Sequence, residues 1–237
     1  MAIHLQKELI KVKKSLLTLG AMVEERVRMA SEAVEKKEAQ IASYLIQADK
    51  DVDAMEVDIE EECLKILALY QPVAVDLRFI ISVIKINSEL ESIADQAVNI
   101  AQRIEMMAKH QRPLFFDYSI MSKKAQNMLK MSLDAFVNLD VDIAFKVLIL
   151  DDEVDDLKNR AYDIIKEAMK ENRDSIGYLI NLLLISRHFE RLADHATNIA
   201  EEVIYLVEGE IVRHNRNWGP TPIKELSEPS IASLNHS

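Results

Sequence analysis

The stretch that decides the fold is Glu91-Ser92-Ile93-Ala94-Asp95-Gln96-Ala97-Val98-Asn99-Ile100-Ala101, because it is written again as Glu190-Arg191-Leu192-Ala193-Asp194-His195-Ala196-Thr197-Asn198-Ile199-Ala200. The step between them is 99 residues, and seven of the eleven residues recur in identity. Around it, Ile86, Leu90, Ile93, Ala97, Ile100, Ile104 and Met107 meet Ile185, Phe189, Leu192, Ala196, Ile199, Val203 and Leu206. All are apolar and spaced by four and three, the signature of one helix face. Two unrelated amphipathic helices also share such a stripe. They do not share Glu, Asp and Asn at polar positions, so the identities at those positions mark a duplication.

Working outward, the preceding segments repeat at a step of 102: Val52, Met55, Ile59, Cys63 and Ile66 meet Val154, Leu157, Ala161, Ile165 and Ala168, and Met29, Ala33 and Ala42 meet Met131, Ala135 and Ala144. The three-residue change of step falls near Pro72. Apolar periodicity predicts helices from about Leu5 to Lys36, Glu38 to Leu69 and Val73 to Met107, with Pro72 separating the last two. Three more are expected near Tyr118 to Asn138, Asp140 to Asn172 and Ser175 to Glu208, with Gly209 as a C-terminal cap. The expected fold is therefore all-α: two tandem repeats of an antiparallel three-helix bundle, six long helices in all. The boundaries read as 1–108 for the first repeat, 109–117 for a polar linker and 118–210 for the second repeat. Residues 211–237, with three of the five prolines, read as a flexible, mobile C-terminal tail.

Composition agrees with long helices. Of 237 residues, four are glycine and 49% are hydrophobic. A formal charge of −11 argues against a nucleic-acid binder, whose affinity comes from Lys and Arg on phosphates. Cys63 is the only cysteine, so one chain can build neither a disulfide nor a cysteine metal site, and a reducing cytoplasm fits that usage. The N-terminus lacks the apolar core of a secretory signal. The apolar runs Phe79 to Ile84 and Leu182 to Ile185 are far short of the ~20 residues that span a bilayer. A soluble chain without a transmembrane segment is expected.

The residues that carry chemistry are acids four apart: Asp49 with Asp53, Glu91 with Asp95, Asp151 with Asp155, and Glu190 with Asp194. Side chains four apart on a helix lie roughly 6 Å from each other, close enough to share a cation and close enough to repel without one. The row Glu91, Asp95, Asn99 stands away from its own helix's apolar stripe, so the site it would form is a surface one. Asp49 and Asp53 flank their seam, with Glu56 and Glu60 extending the row, so two rows could converge on one groove. Carboxylates and an amide oxygen are hard ligands, suited to Mg²⁺, Ca²⁺, Mn²⁺ or iron. For one pair, a solvated acidic face explains the pattern better; four pairs at repeat-related positions reverse the balance.

These strings, together with Gln71-Pro72-Val73-Ala74-Val75-Asp76-Leu77-Arg78, resemble the PhoU family across both repeats. The resemblance implies metal ligands at Asp49, Asp53, Glu91, Asp95, Asn99, Asp151, Asp155, Glu190, Asp194 and Asn198, holding iron, zinc, magnesium or manganese. It implies no catalysis, but a negative regulator that couples the ATPase subunit of a phosphate ABC transporter to a sensor histidine kinase. It also implies a cytoplasmic protein peripherally associated with membrane complexes, and a homodimer is the expected assembly. Two departures set the repeats apart: Lys158 and Tyr162 stand where Glu56 and Glu60 stand, and Gln96 stands where His195 stands. The two sites are expected to differ in occupancy and metal preference.

Two rival readings remain. A di-iron carboxylate oxidoreductase would use Glu-x-x-His motifs, and none of the six histidines has a Glu three residues before it. A Gly-rich phosphate loop and a Gly-x-Ser-x-Gly elbow are also missing. The other rival, a metal-free structural adaptor, would have the same seams and differs only in what its exposed acids do.

Overall fold

The computed structural model describes residues 2–48, 50–108 and 112–211. The first helix, α1 (Ala2–Lys36), buries Leu9, Val12, Leu16, Leu19, Val23, Val27, Ala30 and Val34, all three or four apart. It ends at Lys37, whose φ of 53° is left-handed. The Lys37 and Glu38 N–H groups then donate to the carbonyls of Val34 and Ala33 at 3.4 and 3.1 Å. That pair of bonds closes a helix end. The same device recurs 102 residues later, where Leu139 has φ 53° and the Asp140 N–H donates to Ala135 at 3.0 Å.

The second expected helix is present with one interruption, as α2 (Ala39–Gln47) and α3 (Lys50–Tyr70). Its apolar face runs on through the break, with Ala42, Leu45, Val52, Ile59, Cys63 and Ile66 all buried. Two local effects favour the break. Asp51 and Asp53 fall in the first turn of α3, where the helix dipole stabilises acids. The Ala48 carbonyl, freed at the end of α2, accepts a bond from Arg26 Nη2 on α1 at 3.0 Å. The residue 102 positions after Arg26 is Met128, which has no such donor, and the matching helix is continuous.

After Pro72 comes α4 (Ala74–Met107), entered through left-handed Gln71 and Ala74 at φ 48° and 49°. The second unit is α5 (Ser119–Asn138), α6 (Val141–Glu171), one turn of 3-10 helix at Arg173–Ser175, and α7 (Ile176–Glu208). Asp140 caps α6, its Oδ1 accepting the Ile143 N–H at 3.0 Å. Gly209, at φ 78°, ends α7 as a left-handed cap. Before α5, buried Tyr118 donates its hydroxyl to the Leu182 carbonyl at 2.6 Å. The fold is the doubled three-helix bundle expected from the sequence, and no strand occurs among the described residues.

The two repeats meet along α4 and α7, which run antiparallel at the centre of the molecule. Lys85 faces Glu202, Glu89 faces His195 and Gln96 faces His188. In the 99-residue repeat frame Gln96 corresponds to His195, and Glu89 to His188. The last two contacts therefore exchange when the repeats are exchanged, which defines an internal pseudo-two-fold. On the flank, α1 runs antiparallel to α5, with Gln126 Nε2 donating to Ser31 Oγ at 2.9 Å. Among the described residues no helix is long and apolar enough to cross a membrane. Residues 109–111 of the expected linker, and the expected tail beyond Ile211, lie outside the described residues.

Candidate functional site

The first acidic face lies where α3 packs on α4. Asp53 projects from the first turn of α3, and Glu56 follows three residues on, half-buried. Glu91 and Asp95 stand one turn apart on α4, with Asn99 a further turn along; Asp95 is exposed and the other two are half-buried. The rows lie near enough to feel one another's charge. Burial first, then Asp95, Glu56 and Asp53, push the Glu91 carboxyl above its usual range. Asp95 is raised by burial and then by Asp53, while His195 pulls it down. Glu56 is raised by burial and then by Glu60 and Asp53. Carboxyls raised first by burial and then by neighbouring carboxylates are short of positive charge. Asp49, the remaining expected member, lies outside the described residues.

One turn before Glu91 on the same row stands Asn87, 1% exposed. Its Nδ2 donates to the Glu56 backbone carbonyl at 2.8 Å, while its Oδ1 is buried with no partner. A buried acceptor without a donor costs about 1–3 kcal/mol, and an oxygen of this kind beside carboxylates is a hard-cation ligand in type.

The second face lies where α6 packs on α7 and gathers Asp151, Asp155, Glu190 and Asp194. Asp151 is pushed up to about 7 by burial and then by Asp194, Asp155, Asp152 and Glu190. Asp194 is raised by burial and then by Glu190 and Asp155, against His195 and Lys158. Here a cation is already present. Lys158 Nζ lies 3.1 Å from Asp155 Oδ1 and 3.0 Å from Glu190 Oε1, tying α6 to α7. Asn198 is turned elsewhere: its Nδ2 donates to Glu89 Oε2 of α4 at 3.1 Å.

Glu89 is the residue that sequence reading missed. It accepts from Asn198 and pairs with His195 Nδ1 at 2.7 Å, so both residues of the second signature string are held by the first repeat. The signal was present in the 99-residue frame, in which Glu89 corresponds to His188. His188 is a buried inter-repeat contact, its Nδ1 2.9 Å from Gln96 Oε1.

As the side chains stand, no three His, Cys, Asp or Glu residues converge tightly enough to hold a metal ion among the described residues. The chemistry of the donor sets nevertheless separates the two faces. The first is hard oxygen throughout, with an orphaned buried amide oxygen and no ion pair to Asp53, Glu56, Glu91 or Asp95 among the described residues, and it fits a cation. The second holds an ammonium between two of its four carboxylates. The Cys63 thiol in α3 is buried and pushed up to about 12, by burial first and then by Glu60 and Glu62.

Fold and site together define a duplicated three-helix bundle that carries one acidic helix face per repeat. The PhoU domain family model matches residues 16–104 and again 118–203, one match per repeat. The chain is 39% identical over 224 residues to the phosphate-specific transport system accessory protein PhoU homolog of Aquifex aeolicus, covering 94% of this chain and 98% of that one. It is 37% identical to the homolog of Pseudomonas aeruginosa, over 93% and 91%. The crystal structure of PhoU from Pseudomonas aeruginosa superimposes with a TM-score of 0.82 at 35% identity, over 86% of this chain and 99% of that one. The phosphate transport system regulatory protein PhoU from Streptococcus pneumoniae gives 0.79 at 30%, over 88% and 99%. The chain belongs to the PhoU family.

Proposed function

We propose that this chain is an accessory regulator of a phosphate transport system: non-catalytic, cytoplasmic and peripherally associated with its membrane partners. The observation that carries this is the match of both repeats to relatives named for that role, over nearly their whole length. In the finer reading it couples the ATPase subunit of a phosphate-specific ABC transporter to a sensor histidine kinase, and keeps phosphate-starvation genes silent when phosphate is abundant. Long amphipathic helices with broad outer faces suit the docking of partner helices, and a homodimer would present two such sets.

The acidic faces belong to the same proposal. Asp53, Glu91 and Asp95, joined by Asp49 and Glu56, would hold a hard cation such as Mg²⁺, Mn²⁺ or iron, with zinc an outcome of metal analysis. The ion would neutralise carboxylates from two helices and draw α3 onto α4.

Deleting the gene in its host and measuring alkaline phosphatase at high phosphate tests the regulatory role. Derepression is expected, and unchanged repression contradicts it. For the site, replacing Glu91 and Asp95 together by Ala should lower bound metal while circular dichroism stays unchanged. Equal metal content in the variant removes this part of the reading.

A further inference from the structure

We infer that Lys158 is a built-in counter-cation that takes the place of a metal ion on the second acidic face. The chain then loads divalent cation on the first face alone, and Lys158→Glu opens the second. The one-face statement rests on the proposed cation site of the first repeat; the statement about Lys158 does not.

The two faces are the same construction up to three positions. In the 102-residue frame Lys158 replaces Glu56, and exposed Tyr162 replaces Glu60. Among the described residues the first face carries five acids (Asp53, Glu56, Glu60, Glu91 and Asp95), and the second carries four acids and one ammonium. The ammonium is placed as a bridging ion would be, 3.1 Å from a carboxylate on α6 and 3.0 Å from one on α7. Its side chain is 29% exposed and that of Glu190 is 20% exposed, so the contact is shielded on both sides. A Lys side chain supplies a compact charge with three donors. A divalent ion entering the same groove would have to displace it or sit beside it against like-charge repulsion. The first face offers the reverse: no cation bridges its two helices among the described residues, and Asn87 Oδ1 is left over. The residue matching Asn87 in the second repeat is Ser186, whose hydroxyl is satisfied by the Leu183 carbonyl at 2.7 Å. The second face therefore lacks both the surplus acid and the orphaned oxygen.

The experiment is equilibrium dialysis of the full chain against Mn²⁺, with helicity checked by circular dichroism. Glu91→Gln with Asp95→Asn should abolish bound Mn²⁺, and Glu190→Gln with Asp194→Asn should leave it at the wild-type level. Adding Lys158→Glu to the first double variant should restore binding, now at the second face. Loss of Mn²⁺ in the Glu190/Asp194 variant, or no gain from Lys158→Glu in a folded chain, overturns the inference. Full Mn²⁺ binding by the Glu91/Asp95 variant overturns the first-face site and the one-face statement with it. The role of Lys158 is then judged by whether Lys158→Glu alone adds Mn²⁺ to what the wild type holds. Lys158→Gln gives an independent reading: its melting temperature should fall in EDTA and recover in Mn²⁺. A melting temperature equal to wild type in EDTA counts against the counter-cation.

Discussion

His188 shows how one buried side chain sets a pH response. Burial, and after it the charges of Arg103, Arg191 and Arg187, hold its imidazole neutral, with a pKa lowered to about 4. In the unfolded chain the same group takes up a proton near pH 6.5. Between those values the unfolded state binds more protons, so stability falls as the pH falls. The contribution is complete above about pH 6.5 and gone by about pH 4, and the shift bounds it at about 3 kcal/mol. In His188→Gln that term is absent. Urea unfolding at pH 7.5, 5.5 and 4.5 should show the gap between wild type and variant shrinking as acid is added; a constant gap removes the assignment. The ligand candidates Glu91, Asp95, Glu190 and Asp194 were legible at this scale because the repeat fixes polar identities that amphipathicity does not. Glu89 was not, since a lone acid acquires meaning only once α7 lies across it.

At the scale of the helix, the break between α2 and α3 turns on a donor far away in sequence. Arg26→Met, which installs the residue found at the matching position of the second repeat, leaves the Ala48 carbonyl without its partner. A loss of about 1–3 kcal/mol is expected, the cost of stranding a part-buried acceptor. Hydrogen exchange should quicken in α2 before it does in α3 or α4, and uniform protection would contradict the role given to Arg26. This explains why the sequence reads as one helix from Glu38 to Leu69. Apolar periodicity reports the buried face, and Leu45 and Val52 keep that face intact across the turn. The other ends were legible where chemistry is local, at Pro72 and at Gly209. The left-handed residues Lys37 and Leu139 carry no glycine to betray them, yet their repeat-related placement puts both turns where the periodic stretches stop.

For the molecule as a whole, the seam between α4 and α7 decides whether the two repeats act as one body. Lys85 Nζ lies 3.1 and 3.2 Å from the two Glu202 oxygens, with the Glu202 side chain 5% exposed, and it sits 5.3 Å from the Tyr205 ring centre. Breaking a fully buried pair from one side costs about 3–5 kcal/mol and removing both charges is often close to neutral; with the Lys85 side chain 34% exposed the cost here is smaller. Lys85→Met should therefore be destabilising in guanidinium unfolding, and Lys85→Met with Glu202→Gln should recover most of the loss; additive losses would show that the pair is not coupled. The doubled bundle was legible in the sequence, since two copies of one helical pattern must bury the same kind of face. The antiparallel crossing was not, because no periodicity states which way two equivalent helices lie against each other.

That crossing has a consequence for where such a chain comes from. Because exchanging the repeats turns the Gln96–His188 contact into the His195–Glu89 contact, the seam is the isologous interface that a single unfused copy would form with its twin. Joining two such copies end to end would bring that interface inside one chain without inventing a surface. It would also leave the paired positions free to differ, as Gln96 and His195 do.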